Sequence, residues 1–139
     1  VPVALQADRT ALALKPDFVK VYQGLAATYA DLGQYPEAIA ALKAALAVIP
    51  AYPDGYNNLG LLYRKQGLLA EAIAAYRAAI TLKPDFAPAY NNLGTAYGAQ
   101  GKYPEAIAAW QRAVGLDPNS PSGRAAQANI EIVRARLAR

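Results

Sequence analysis

Residues 56–84, YNNLGLLYRKQGLLAEAIAAYRAAITLKP, return without a gap as residues 90–118, YNNLGTAYGAQGKYPEAIAAWQRAVGLDP. One constant displacement, kept from Tyr56 and Tyr90 through to Pro84 and Pro118, is the signature of a structural repeat. Working outward, Pro16, Pro50, Pro84 and Pro118 stand at that same step, as do Gly33, Gly67 and Gly101, and Glu37, Glu71 and Glu105. Three full units follow, over residues 17–50, 51–84 and 85–118, and we treat residues 1–139 as one domain.

Each unit splits into two helices. The recurring Gly suits a left-handed residue just past a helix end, and Pro36 and Pro104 then fall where a first helical turn tolerates a missing N–H. The repeated Glu lies in the first turn of the second helix, where a carboxylate offsets unpaired backbone N–H groups, and the Pro of the repeat ends that helix. First helices are expected near 19–32, 53–66 and 87–100, and second helices near 36–48, 70–82 and 104–116. Asp17 and Asp85 precede first helices and are expected to cap them.

Both ends carry partial units. Residues 1–16 align without gaps to residues 35–50 and read as a lone second helix, departing at Asp8, which takes the place of Leu42, Tyr76 and Trp110. In residues 119–139, Ala126, Ile130, Val133 and Leu137 form one apolar stripe, as expected of a helix that closes the last apolar face of a stack.

Composition agrees with an all-α chain. Ala supplies 33 of 139 residues against 7 Ile, 7 Val and 4 Thr, so helix formers far outnumber β-branched residues. With no Cys and no His, thiol chemistry, disulfides, thiolate or imidazole metal sites and His-based acid/base pairs are all excluded. Glu37, Glu71 and Glu105 are equivalent helix starts, so reading two of them as a catalytic pair leaves the third unexplained. No cofactor and no catalytic residue is expected. Most of the net charge of +4 sits at the C-terminus: residues 124–139 hold four Arg and one Glu. The rest is nearly balanced, which argues against nucleic acid as a partner. Charged, Gly or Pro residues interrupt every apolar run before membrane-spanning length, so no membrane partner is expected. The first residue is Val rather than Met, which points to a processed form or an excised piece. Compartment is not legible.

Every aromatic residue falls in one of five columns of the repeat, among them Tyr22, Tyr56 and Tyr90, and Tyr29, Tyr63 and Tyr97. These share helical spacing with Leu25, Leu59 and Leu93 and read as core rather than as a stacking platform for bases. Gly60 and Gly94 then let neighbouring helices approach around the rings.

Tyr56, Leu59, Gly60, Tyr63, Gly67, Ala72, Ile73, Ala79 and Pro84, with the same set one unit later ending in Pro118, resemble the tetratricopeptide repeat family. The first unit departs with Ala26 in place of Gly. The resemblance implies a right-handed α-solenoid of three helical hairpins, flanked here by the lone N-terminal helix and the C-terminal capping helix. First helices would line a concave groove in which family members bind peptides or proteins.

Winding the first helix at about 100° per residue places that groove independently. Asp54, Asn57, Asn58, Leu61, Arg64 and Lys65 turn away from Tyr56, Leu59, Gly60 and Tyr63 and are expected to face solvent. Their counterparts include Lys20, Gln23 and Asp31 in the first unit and Asn91, Asn92 and Thr95 in the third. Asn is a weak helix former, so paired Asn in mid-helix calls for a purpose. A carboxamide donates and accepts, and so matches the N–H and C=O of an extended peptide whatever its side chains. Equivalent helices about 9 to 10 Å apart match roughly three extended residues, so stacked Asn can follow a peptide backbone. The segment also resembles the asparagine ladder in the superhelix of O-linked N-acetylglucosamine transferases, carried over to Asn58 and Asn92 only. The competing reading bonds these Asn to a neighbouring helix to hold the pitch. The family's carboxylate clamp is not supported, because Gln23, Ala27, Pro88 and Asn92 stand where it needs other residues.

The function expected is therefore a non-catalytic scaffold that binds an extended peptide segment of a protein partner. Self-association through an end of the stack, or service as the substrate-recruiting arm of a larger enzyme, are the alternatives.

Overall fold

The computed structural model describes residues 19–139. The expected lone helix over residues 1–16, Asp8 and the cap at Asp17 lie outside the described residues. Within them the chain is helical throughout: α1 (Val19–Asp31), α2 (Tyr35–Val48), α3 (Pro53–Lys65), α4 (Leu69–Leu82), α5 (Ala87–Ala99), α6 (Tyr103–Leu116) and α7 (Pro121–Leu137). Three successive helical hairpins stack as a solenoid, and α7 packs on α5 and α6 at the end.

The three hairpin turns are built alike. Gly33, Gly67 and Gly101 have φ of 74°, 77° and 77°. That conformation costs Gly nothing and an L side chain appreciably more. After α1, Gly33 N–H donates to the Ala30 carbonyl (3.0 Å) and Gln34 N–H reaches back to the Tyr29 carbonyl (2.8 Å). The turn thereby satisfies carbonyls that the helix end would orphan. Gly67 and Leu68, then Gly101 and Lys102, repeat the pattern. Glu37, Glu71 and Glu105 sit in the first turns of α2, α4 and α6. The cap expected at Asp85 is not made. Phe86 occupies the N-cap of α5 with no side-chain cap bond, because Pro88 already fills a first-turn position and removes a donor that a carboxylate would have served. By contrast α7 is capped in the usual way, the Gly123 N–H donating to Ser120 Oγ at 3.0 Å.

The core has two centres. One gathers Tyr22, Ala26, Tyr29 and Leu42 of the first hairpin with Leu59 and Leu62 of α3. The other gathers Tyr76, Leu93, Tyr97 and Trp110 with Ala126, Ile130 and Val133 of the capping helix. Within a hairpin, ring and glycine are matched: a Cβ on Gly60 would overlap the Tyr76 ring, and one on Gly94 would overlap the Trp110 indole. The first hairpin solves the same contact with Ala26 against the smaller Leu42. Rings pack as core, and four of those in the described residues also carry cations at their faces, among them Tyr63, whose ring centre lies 5.9 Å from Lys43 Nζ, and Tyr97, 5.8 Å from the Arg77 guanidinium. Among the described residues no helix is long and apolar enough to cross a membrane.

Candidate functional site, a face made by the first helices of the hairpins

The first helix of each hairpin, α1, α3 and α5, contributes to one continuous face, and two seams divide it. Along the α3–α5 seam, Asn92 Nδ2 donates to Asn57 Oδ1 at 2.9 Å. Asn57 is only 8% exposed, so it is a seam residue and not the solvent-facing group expected from its angle on the helix. The reason is geometric: winding one helix fixes rotation relative to its own partner α4, whereas α5 of the next hairpin covers a further strip. Asn92 is half-buried beside it. Within the second hairpin, Arg64 of α3 lies close to the hydroxyl of Tyr76 on α4. The Tyr76 hydroxyl and Arg64 Nε are buried without a well-formed hydrogen bond. Burial pushes the Tyr76 hydroxyl above its ordinary value, against the opposing pull of the nearby Arg64 charge.

Asn91 is placed differently from Asn92. Its backbone carbonyl accepts from Trp110 Nε1 at 3.2 Å and from Thr95 Oγ1 at 3.1 Å, while its side-chain Oδ1 is buried without a partner. Thr95 is half-buried with its hydroxyl turned to its own helix.

The α1–α3 seam is open. It holds a cavity of about 240 Å³ between Ala27 and Ala30 on one side and Leu61 and Leu62 on the other, with Ala26 and Leu42 at its floor. Gln23, Asn58 and Lys65 complete its lining. Gln23 is held by Tyr52, whose hydroxyl accepts from its Nε2. Burial raises the Tyr52 hydroxyl above its ordinary value; Asp54 adds to the rise and the Gln23 bond opposes it. Asn58 is half-buried, and its carboxamide makes no hydrogen bond among the described residues. Lys20, Asp31, Asp54 and Lys65 are exposed around this region, and Leu61 and Arg64 are half-buried.

The structure thus brings Gln23, Asn58, Leu61 and Lys65 together at one cavity and Asn57 and Asn92 across one seam, with Arg64 beside the Tyr76 hydroxyl. Lys20, Asp31 and Asp54 remain peripheral exposed charges. The cavity floor, Ala26 and Leu42, is not among the expected site residues. Its signal is present in the repeat columns, where Ala27, Ala30 and Leu42 are each smaller than Leu61, Arg64 and Tyr76 one unit later.

Family models of the tetratricopeptide repeat match residues 28–67, 60–101 and 87–120. No curated protein matches the sequence. Among solved structures, the first such repeat domain of Spaghetti (RPAP3), bound to the HSP90 peptide SRMEEVD, aligns with a TM-score of 0.78 at 25% identity, over 87% of this chain and 94% of that one. The MamA protein aligns with a TM-score of 0.68 at 30% identity, over 84% of this chain and 63% of that one. The repeat domain of Arabidopsis OM64, at 19% identity and a TM-score of 0.73 over 81% of this chain and 93% of that one, shares the fold.

Proposed function

Since the chain belongs to the tetratricopeptide repeat family, we propose that its face of first helices receives an extended segment of a partner protein and that the molecule serves as a non-catalytic interaction scaffold. The observation that carries this reading is Asn58: a half-buried carboxamide, in mid-helix, with no hydrogen bond to any described residue, beside an open cavity. A group in that state is an available donor and acceptor for a peptide backbone. Asn92 stands one unit on and uses one N–H on Asn57, which leaves its carbonyl for the ligand. Together they make a ladder of two steps, in keeping with the resemblance to the asparagine ladder noted above. The Spaghetti domain, similar in fold over most of both chains, is seen with a peptide bound, which supports the peptide as the class of ligand.

The units 17–50, 51–84 and 85–118 are the modules of this scaffold. Affinity comes from Asn58 and Asn92, and selectivity from Lys20, Asp31, Leu61, Arg64, Lys65 and Thr95. The test is a peptide array probed with the chain, followed by titration of the selected peptide. Asn58→Ala with Asn92→Ala is expected to weaken that peptide about tenfold or more while helicity is kept. Unchanged affinity in the folded double variant would remove the reading.

A further inference from the structure

The second and third hairpins differ at one position in how their rings meet positive charge. In the third, the Arg112 guanidinium of α6 lies 5.8 Å from the ring centre of Tyr90 on α5, and Arg77 of the hairpin before lies 5.8 Å from that of Tyr97. One unit earlier Lys43 serves Tyr63 as Arg77 serves Tyr97, at 5.9 Å. Tyr56 is the counterpart of Tyr90, but Ala78 stands where the third unit has Arg112, and the Tyr56 ring carries no cation among the described residues. A cavity of about 270 Å³ opens there between α3 and α4. It is reached from the side of α3 opposite Asn58, Leu61 and Lys65, so it is distinct from the face of first helices. Its walls include Tyr56, Leu59 and Tyr63 of α3 with Glu71, Ala75 and Ala78 of α4. Both tyrosines are half-buried, and Glu71, the one charged residue of the described lining, is exposed and makes no ion pair among the described residues. The first unit offers no such ring, because Tyr22 is wholly buried.

We infer that the α3–α4 cavity receives the guanidinium of an arginine side chain from a partner protein, seated on the Tyr56 ring as Arg112 is on Tyr90, with Glu71 as counter-charge. The face of a tyrosine ring attracts a cation, and a planar guanidinium stacks on it better than a compact, strongly hydrated ammonium does. A cavity of roughly 150 Å³ already accepts a benzene-sized molecule, so a guanidinium and its stem have room. Lys43 at the Tyr63 ring does not bar a second cation. The third unit holds two, Arg77 and Arg112, at the corresponding rings with one corresponding carboxylate, Glu105. The chain therefore contains its own precedent for the occupied state, one repeat away. The site does not depend on the groove reading above.

The probes are N-acetyl-argininamide, N-acetyl-lysinamide and the neutral isostere N-acetyl-citrullinamide, titrated at millimolar concentration and fixed ionic strength into the isotopically labelled chain and followed by amide chemical shifts. Shifts centred on Tyr56, Ala75 and Ala78 are expected, with the Arg probe bound about fivefold more tightly than citrulline and more tightly than Lys. Glu71→Gln should weaken the Arg probe about threefold and leave citrulline unchanged. Ala78→Arg supplies the side chain that the third unit carries at this place; it is expected to keep the circular dichroism spectrum and to abolish the response. Conversely, Arg112→Ala should add a second response, centred on Tyr90. Equal affinities for the Arg and citrulline probes, tighter binding of Lys, shifts centred elsewhere, survival of the response in Ala78→Arg, or no second response in folded Arg112→Ala overturns the assignment. Sedimentation equilibrium identifies the donor of the arginine. A mass that stays monomeric is expected, whereas self-association that Ala78→Arg removes would place a second copy of the chain in the cavity and overturn the partner protein.

Discussion

The α1–α3 seam and the α3–α5 seam are built by the same repeat, yet the first holds a cavity lined by Ala27, Ala30 and Leu42, where the next unit carries the larger Leu61, Arg64 and Tyr76. In the second hairpin, Gly60 admits the Tyr76 ring and Arg64 lies close to its hydroxyl, while across the α3–α5 seam Asn57 accepts a hydrogen bond from Asn92. In the first hairpin, Ala26 and Leu42 line the cavity together, Ala30 replaces the long cation, and Gln23 turns to Tyr52. The difference teaches that in a repeat protein the positions where units depart from one another are where the surface of the stack changes shape. Shared positions build the stack, and departures shape what it can hold.

Three sets of substitutions break or sharpen this contrast. The largest effect is expected where ring and backbone already touch. Gly94→Ala would drive a methyl into Trp110, and Gly60→Ala one into Tyr76, each costing about 3 kcal/mol by urea denaturation. If either variant is as stable as the parent, the helices are not as close as described. Next, Leu42→Tyr should convert the first hairpin toward the second at a cost of about 2 kcal/mol, because the Ala26 methyl stands in the way of the ring. Adding Ala26→Gly should return at least half of that loss and close the cavity; a double-mutant cycle with no coupling would show that the two positions do not compensate. The smallest effect concerns the bond across the α3–α5 seam. Asn57→Ala should cost about 1 kcal/mol, while Asn58→Ala should change stability by no more than about 0.5 kcal/mol. Equal costs at the two neighbouring residues would erase the distinction between a seam Asn and an available one.

The helices are legible in the sequence to within a residue or two, because Gly, Pro and the first-turn Glu recur at fixed offsets and each has its own backbone reason to stand at a helix end. The aromatic columns are legible for a related reason: rings set at helical spacing from Leu on the same helix share its buried side. Asp85 departs from its expected role because a proline at the start of α5 has already removed the need for a cap. Asn57 departs because a helical wheel knows one neighbour, and this helix has two. The buried, unpartnered Asn91 Oδ1 and Tyr76 hydroxyl are invisible in sequence, since whether a polar tip meets a partner depends on the angle between adjacent hairpins. The cavity is within reach. Subtracting side-chain volumes column by column across the repeat step points to it.

The three glycine turns agree in φ to within a few degrees, so each hairpin is a stiff clip of one shape. Curvature of the whole must then be set at the joints between clips, by what stands in each joint. The joint lined by Ala27, Ala30 and Leu42 has the shortest side chains to wedge its helices apart, so the angle there is set by different atoms from the angle one unit on.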